Sequence, residues 1–316
     1  MMIPQDLLDI LCCPDCRQDL TLDAAALVCA PCGSSFPIVD GIPVFVDKEK
    51  LNSEKMILSD FYENFGWQKS ENEDIYKTQA VFGYESDCMT EYRVRSNKRL
   101  IPLFDPTGKY FVDCASGAVA ATEYLEYSKG YQYHVCVDLT LLALMGAREK
   151  LGEKGLYINA DATKLPIKAD VVDQILSSQT LFHVPKDEQV DVVKEFQRVL
   201  KPRGQCVILY NLGRHSLAGK LLAPYFWFRR RRENGVVPQI YSYHFTQDWF
   251  NQFSGIFSST KFYVYRFLPN QVIKHLFPNN AVSKLMGRAL ISIMSVIEKM
   301  HFLSSMSQFI TVVFRK

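Results

Sequence analysis

Apolar runs of strand length alternate with segments of helical spacing through the middle of the chain, most clearly between Tyr110 and Asp138. A short apolar run ends in Asp113, and the residues that follow, Ala115, Ser116 and Gly117, are small enough to let a backbone approach a ligand closely. Ala120 to Tyr127 reads as a helix that Gly130 stops, and a second apolar run ends in Asp138. An acidic side chain about 20 residues past such a turn can accept hydrogen bonds from ribose hydroxyls, so this stretch is predicted to be a nucleoside-binding strand, turn, helix and strand. Further strands are predicted at residues 171–178, 261–268 and 309–315, with another after Gly204, and helical spacing marks 92–104 and 245–253. Residues 271–307 are long and apolar on one face, with Leu285, Leu290, Ile293, Val296 and Ile297 prominent.

At 316 residues and 48% hydrophobic, the chain is long enough for one α/β domain with a small appendage. Its 36 Lys and Arg against 34 Asp and Glu leave no global field to recruit nucleic acid. Neither a secretory leader nor an apolar run of the roughly 18 residues that a spanning helix needs is apparent, so a cytoplasmic protein is expected. Nine cysteines change this picture in one place. Cys114, Cys136 and Cys206 fall in predicted strands and read as core, but Cys13, Cys16, Cys29 and Cys32 form two CxxC pairs. Two such knuckles complete a closed Cys₄ shell, predicting a structural Zn²⁺. Cys12 breaks the pairing and is left out.

The stretch from Asp113 to Asp138 resembles the class I S-adenosylmethionine-dependent methyltransferases, whose first motif is an Asp-x-Gly-x-Gly-x-Gly turn and whose second is an acidic residue ending the next strand. Asp113, Gly117 and Asp138 match, while Ala115 and Val119 stand where that family usually has glycines. Asn159-Ala160-Asp161-Ala162 with Leu165-Pro166, the run Val171 to Ser178, and Arg198 to Gly204 follow in the family's order, so the resemblance covers roughly residues 105 to 211. It implies a doubly wound, Rossmann-like α/β methyltransferase sheet with helical lid insertions, and S-adenosylmethionine as cofactor. Asp113, Ala115 and Gly117 would then face its methionine end, Asp138 its ribose and Leu139 its adenine. Asp161 would accept from the adenine amino group, the Ala162 amide would donate to a ring nitrogen, and Ser178 would line the site. The first segment resembles the small zinc-ribbon methyltransferase activators over Leu7 to Pro14, the second cysteine pair and Phe36 to Pro43. Together these imply a zinc ribbon at 1–47, a linker and helical lid at 48–104, and a methyltransferase domain at 105–316 with insertions at about 212–244 and 270–308.

Methyl transfer from a sulfonium is an in-line displacement, so the protein has mainly to align donor and acceptor and, for an oxygen or nitrogen acceptor, take up a proton. His183 is the expected base, with His215 and His244 as further candidates, and Tyr62, Trp67 and Tyr92 are expected to line the lid. No Asn-Pro-Pro-Tyr sequence follows the fourth strand. Tyr225-Phe226-Trp227-Phe228 followed by Arg229 to Arg232 suits a cover over an acceptor with an apolar body and an anionic group. The expectation is O-methylation of a small or medium natural-product, sugar or lipid-linked acceptor, without nucleic acid; membrane-surface contact and a homodimer stay open. The rival readings are an rRNA or tRNA methyltransferase, and a protein that binds S-adenosylmethionine without transferring methyl.

Overall fold

The computed structural model describes residues 3–70, 75–81, 87–232, 240–277 and 279–316. A turn of helix, α1 (Gln5–Leu8), precedes a four-stranded antiparallel ribbon of β1 (Thr21–Asp23), β2 (Ala26–Val28), β3 (Ser35–Val39) and β4 (Ile42–Pro43). Helices α2 (Ser53–Phe61), α3 (Lys77–Val81) and α4 (Asp87–Lys98) lead into the main domain. There β5 (Gly108–Cys114), α5 (Glu123–Tyr127), β6 (Tyr131–Asp138), α6 (Leu141–Leu151), β7 (Gly155–Asn159), β8 (Val172–Ser178), α7 (Gln189–Val199) and β9 (Leu200–Asn211) alternate. The chain ends with α8 (Leu217–Arg232), β10 (Ser259–Arg266), α9 (Asn270–Leu276), α10 (Ala281–Ile297) and β11 (Phe309–Arg315).

These strands form one seven-stranded sheet in the order β10-β11-β9-β8-β5-β6-β7. β5 to β9 pair in parallel, and β11 inserts antiparallel between β9 and β10. This is the Rossmann-like α/β sheet expected, with an antiparallel pair at one edge. The central strands are apolar along their length because helices cover both faces; Tyr110, Phe111, Val112, Asp113 and Cys114 of β5 are all buried. On α7, Val192, Val193, Phe196 and Val199 recur at helical spacing and are buried.

The ribbon is docked on this domain, and their apolar cores are continuous. Leu7, Leu11 and Leu27 share one cluster with Val112, Leu165 and Ile167. Main-chain bonds cross the boundary, from Cys12 N–H to the Pro166 carbonyl at 3.0 Å and from Lys168 N–H to that of Ile10 at 2.8 Å. Past β4, Phe45 N–H donates to the Asn159 carbonyl at 2.8 Å, so the ribbon's exit lies along β7, the edge strand of the large sheet. An edge with unpaired donors and acceptors is thereby covered.

Several elements differ from the expectation. The helix expected from Ala120 begins at Glu123, because the preceding loop turns through left-handed positions at Ala115, Gly117 and Val119. Residues 245–253 wind as a 3-10 helix, Gln247–Gly255, rather than an α-helix, and the strand expected at 261–268 is Ser259–Arg266. The stretch 271–307 is two helices and a 3-10 turn, His301–Met306, and α10 buries Gly287 and Ile291. Tyr92 does not line the lid: it is buried with Met89 and Ile291, its hydroxyl hydrogen-bonded to Glu298. Residues 233–239 of the first insertion and the side chains of Arg229 to Arg232 lie outside the described residues.

Candidate functional site

A cavity of about 520 Å³ opens at the carboxyl ends of β5, β6 and β8, where ligands collect in open parallel sheets. Each strand delivers a polar side chain as its apolar run ends: Asp113 from β5, Asp138 from β6 and Ser178 from β8. Ala115, Gly117 and Leu139 also line it.

The loop after β5 keeps a glycine-like shape without most of the glycines. Ala115 has φ of 58°, Gly117 54° and Val119 46°, all left-handed. An L-residue there costs about 1–2 kcal/mol, so tertiary bonds must hold it. They do so from three sides: Ala115 N–H donates to the Val137 carbonyl at 2.7 Å, Gly117 N–H to Asp138 Oδ2 at 2.9 Å, and the Lys150 ammonium to the Val119 carbonyl at 3.0 Å. Burial pulls Lys150 down to about 8. We expect Ala115→Gly to raise thermal stability by roughly 0.5–1 kcal/mol, the relieved strain exceeding the entropy added to the unfolded chain. An Ala115→Gly protein that melts below the parent would show the loop unstrained.

The two carboxylates differ in what they already hold. Asp138 Oδ1 accepts from the Thr140 amide at 3.0 Å and hydroxyl at 2.9 Å, while Oδ2 accepts, among the described residues, from Gly117 alone and keeps room for another donor. Burial raises the pKa of Asp138, and the bonds from Thr140 and Gly117 oppose that. Asp113 is buried with neither oxygen hydrogen-bonded among the described residues; the His134 ring lies beside it with Nε2 at 3.6 Å, beyond hydrogen-bond distance. A buried carboxylate lacking donors is an unfinished arrangement that a bound cationic amine would complete.

Asp161 and Ala162, expected on adenine, do not line this cavity. Lys55 of α2 reaches across and its ammonium lies 2.5 Å from Asp161 Oδ2 while also pairing with Glu188; Asp161 Oδ1 caps the following turn at Thr163 N–H, 2.9 Å away. That carboxylate secures α2 to the sheet. From the same segment Tyr62 and Trp67 do line the cavity, their rings stacked 5.4 Å apart, with the indole against Gly117.

On the far side stand two histidines. His183 Nδ1 lies 2.8 Å from the Tyr241 carbonyl and His244 Nδ1 2.7 Å from that of Asn211, so each ring donates from Nδ1 and keeps Nε2 as an acceptor. Phe182 lies between them, 4.4 Å and 5.0 Å from the two rings. Burial pulls His183 down to about 4 and lowers His244 as well. His215, the remaining candidate, does not line the cavity. Sequence reasoning missed Arg266, which is buried, lines the cavity and stacks 4.4 Å from the Tyr265 ring, and Tyr124, whose hydroxyl meets that of Ser178 at 2.8 Å. A lone arginine ending a strand gives no signal of its own.

In the ribbon, the Sγ atoms of Cys13, Cys16, Cys29 and Cys32 all lie within 4.8 Å of one another. Four sulfurs at this spacing fit a tetrahedral ion with metal–sulfur bonds of about 2.3 Å. Cys12 is buried outside the group.

Two family models match the chain: one described as a methyltransferase domain covers residues 112–208, and one described as a Trm112p-like protein covers 5–41. The UPF0434 protein of Hahella chejuensis is 53% identical over 45 residues, which is 14% of this chain and 75% of that protein. The complex of the Haloferax volcanii Trm112 methyltransferase activator with a methyltransferase superposes with a TM-score of 0.48 at 13% identity, over 75% of this chain and 95% of that one. Haemonchus contortus phosphoethanolamine N-methyltransferase 2 in complex with S-adenosyl-L-methionine gives 0.49 at 14%, over 90% of this chain and 62% of that one.

Proposed function

The chain belongs to the methyltransferase-domain family with a Trm112p-like segment at its start, and from that premise we propose that it methylates an oxygen of a small or medium acceptor with an apolar body and an anionic group. The observation that carries this reading is one cavity lined by both a donor-poor buried carboxylate, Asp113, and a buried cation, Arg266. Bound S-adenosylmethionine supplies an electrophilic methyl group on a sulfonium centre. Asp113 and the backbone of Ala115 and Gly117 hold its methionine end, Asp138 Oδ2 its ribose and Leu139 its adenine face, with Ser178 beside them. Asp161 acts from behind by fixing α2 through Lys55. Trp67 and Tyr62 close the site and exclude water. Arg266 receives the acceptor's anion while the aromatic side chains of Phe226 and Phe309 pack on its apolar body. His183 Nε2 accepts the acceptor's hydroxyl hydrogen bond and takes the proton as the oxygen is methylated. The four cysteines hold a structural Zn²⁺, a set of reduced thiolates that suits the cytoplasm.

Calorimetric titration of the metal-loaded protein with S-adenosylmethionine and S-adenosylhomocysteine tests the reading first, followed by methyl transfer to hydroxylated amphiphilic carboxylates and phosphates. A folded protein that binds neither cofactor form would overturn it.

The histidine role has its own signature. With His183 pulled to about 4, its neutral form predominates at all pH values above that, so kcat/KM should be level through the ordinary imidazole range and fall only toward pH 4. An inflection near 6.5 would assign the proton to another group. Stability follows the same sign: the unfolded chain takes up protons that buried His183 and His244 refuse, so the fold weakens as pH drops below the ordinary imidazole value.

A further inference from the structure

The last part of the chain is charged unlike the rest. Residues 196–316 contain 17 Lys and Arg but only three acids, Glu233, Asp248 and Glu298, and Glu298 is fully buried. The net charge of +2 conceals this, because the first 195 residues carry the compensating acids.

The same part carries most of the large apolar side chains left in solvent. Along α10, Val282, Leu285, Met286, Ile293 and Val296 form an exposed stripe, away from the Gly287 and Ile291 face that packs inward. Leu285 is 73% exposed, Leu221 of α8 72%, and Phe302 of the 3-10 turn 80%; Trp227, Phe228 and Leu276 are exposed too. These elements adjoin. The Tyr225 hydroxyl lies 2.8 Å from His275 Nδ1, joining α8 to α9, and α8 touches the 3-10 turn. The two charges of α10, Lys284 and Arg288, reach back to Asp87 and Glu91 of α4, so the outward stripe is uncharged.

We propose that α8, α9, α10 and the 3-10 turn dock together on an anionic lipid surface, with the apolar side chains among the acyl chains and Arg214, Lys220, Lys274 and Lys299 at the phosphates. An exposed apolar face rimmed by cations, with Trp and Phe among its residues, is the composition of helices that lie in a bilayer interface. Among the described residues no helix is long and apolar enough to cross a membrane. A second copy of this chain fits less well, since two such faces would bring like charges together. RNA would meet the cations but gives no partner to Leu285, Ile293 or Val296. Phe226 of α8 and Asn270 of α9 also line the candidate cavity, so the docked helices are its walls. An amphiphilic acceptor can therefore pass from bilayer to site; that last step rests on the proposed methyl transfer, whereas docking does not.

The test uses the full-length, metal-loaded chain with vesicles of phosphatidylcholine alone and of phosphatidylcholine with about one-third phosphatidylglycerol. Co-sedimentation should be at least about tenfold stronger on the anionic vesicles and should weaken with added salt. Leu285→Asp with Ile293→Asp, and separately Leu221→Asp, should each reduce it about tenfold with unchanged thermal unfolding, since these positions are exposed. Tryptophan emission should shift to the blue on docking, and Trp227→Phe should diminish that shift while binding persists. Equal or absent binding to the two vesicle types would overturn the proposal, as would RNA binding without vesicle binding, or a dimer that Ile293→Asp dissociates in a chain that ignores vesicles. Loss of docking with intact S-adenosylmethionine binding refutes the membrane face alone, and docking without cofactor binding refutes the catalytic reading alone.

Discussion

Asp138→Ala is expected to weaken S-adenosylmethionine binding by at least about 100-fold, close to 3 kcal/mol. The carboxylate has two jobs that fail together. Oδ2 has room for a ribose hydroxyl, and the same oxygen holds Gly117 N–H, one of the bonds that keep the strained loop in place. Its removal also strands the amide of Thr140, so some loss of thermal stability should accompany the loss of affinity. Asp113→Asn separates the two effects. Asp113 accepts no hydrogen bond from the described residues, so neutralising it breaks no internal hydrogen bond and should leave the melting temperature unchanged or higher. A drop of about tenfold or more in cofactor affinity for Asp113→Asn then reports a lost charge contact with the ligand itself. The pair is decisive when read by calorimetry beside thermal unfolding. If both variants bind S-adenosylmethionine like the parent, the cavity at the strand ends is not the cofactor site.

The residues that made this site legible in the sequence share one property: each ends an apolar run. Asp113, Asp138 and Ser178 lie where a buried strand meets solvent, so hydropathy alone brings them to one sheet edge. The ribbon was legible because paired thiolates at fixed spacing have few other uses. The rest was hidden for identifiable reasons. Lys55 meets Asp161 across 106 positions, and nothing local to either marks a partner so distant. Tyr92 looks like a lid aromatic because composition does not report that Glu298 and Met89 enclose it. The glycine-poor loop is the instructive case. Ala115 and Val119 read as a degenerate motif, but the left-handed turn is imposed from outside by Val137, Asp138 and Lys150. Local propensity lost to tertiary bonds there. Arg266 reaches the cavity from the chain's later part, which follows no pattern shared with the strands it faces.

Removal of the metal is expected to destabilise the whole chain, not the ribbon alone. Metal binding to a closed Cys₄ site in short peptides is worth about 10–16 kcal/mol at neutral pH, and a segment of this size has little apolar core of its own. Without the ion Leu7, Leu11 and Leu27 lose their positions, but those side chains also cover Val112, Leu165 and Ile167 of the large domain. Arg17 would leave Glu195, 3.1 Å away, and the Leu165 carbonyl at 2.8 Å. Release of Phe45 would bare the edge of β7 at Asn159, the residue whose side-chain amide donates to the Asp138 carbonyl at 3.0 Å. Loosening therefore runs from the cysteines to the cofactor strand through bonded neighbours. Calorimetric scanning should accordingly give one transition that moves down sharply with a strong chelator or with Cys13→Ser, and S-adenosylmethionine affinity should fall with it. Two transitions, with the cofactor-binding one unmoved by chelation, would make the ribbon an independent module that only happens to be joined to this domain.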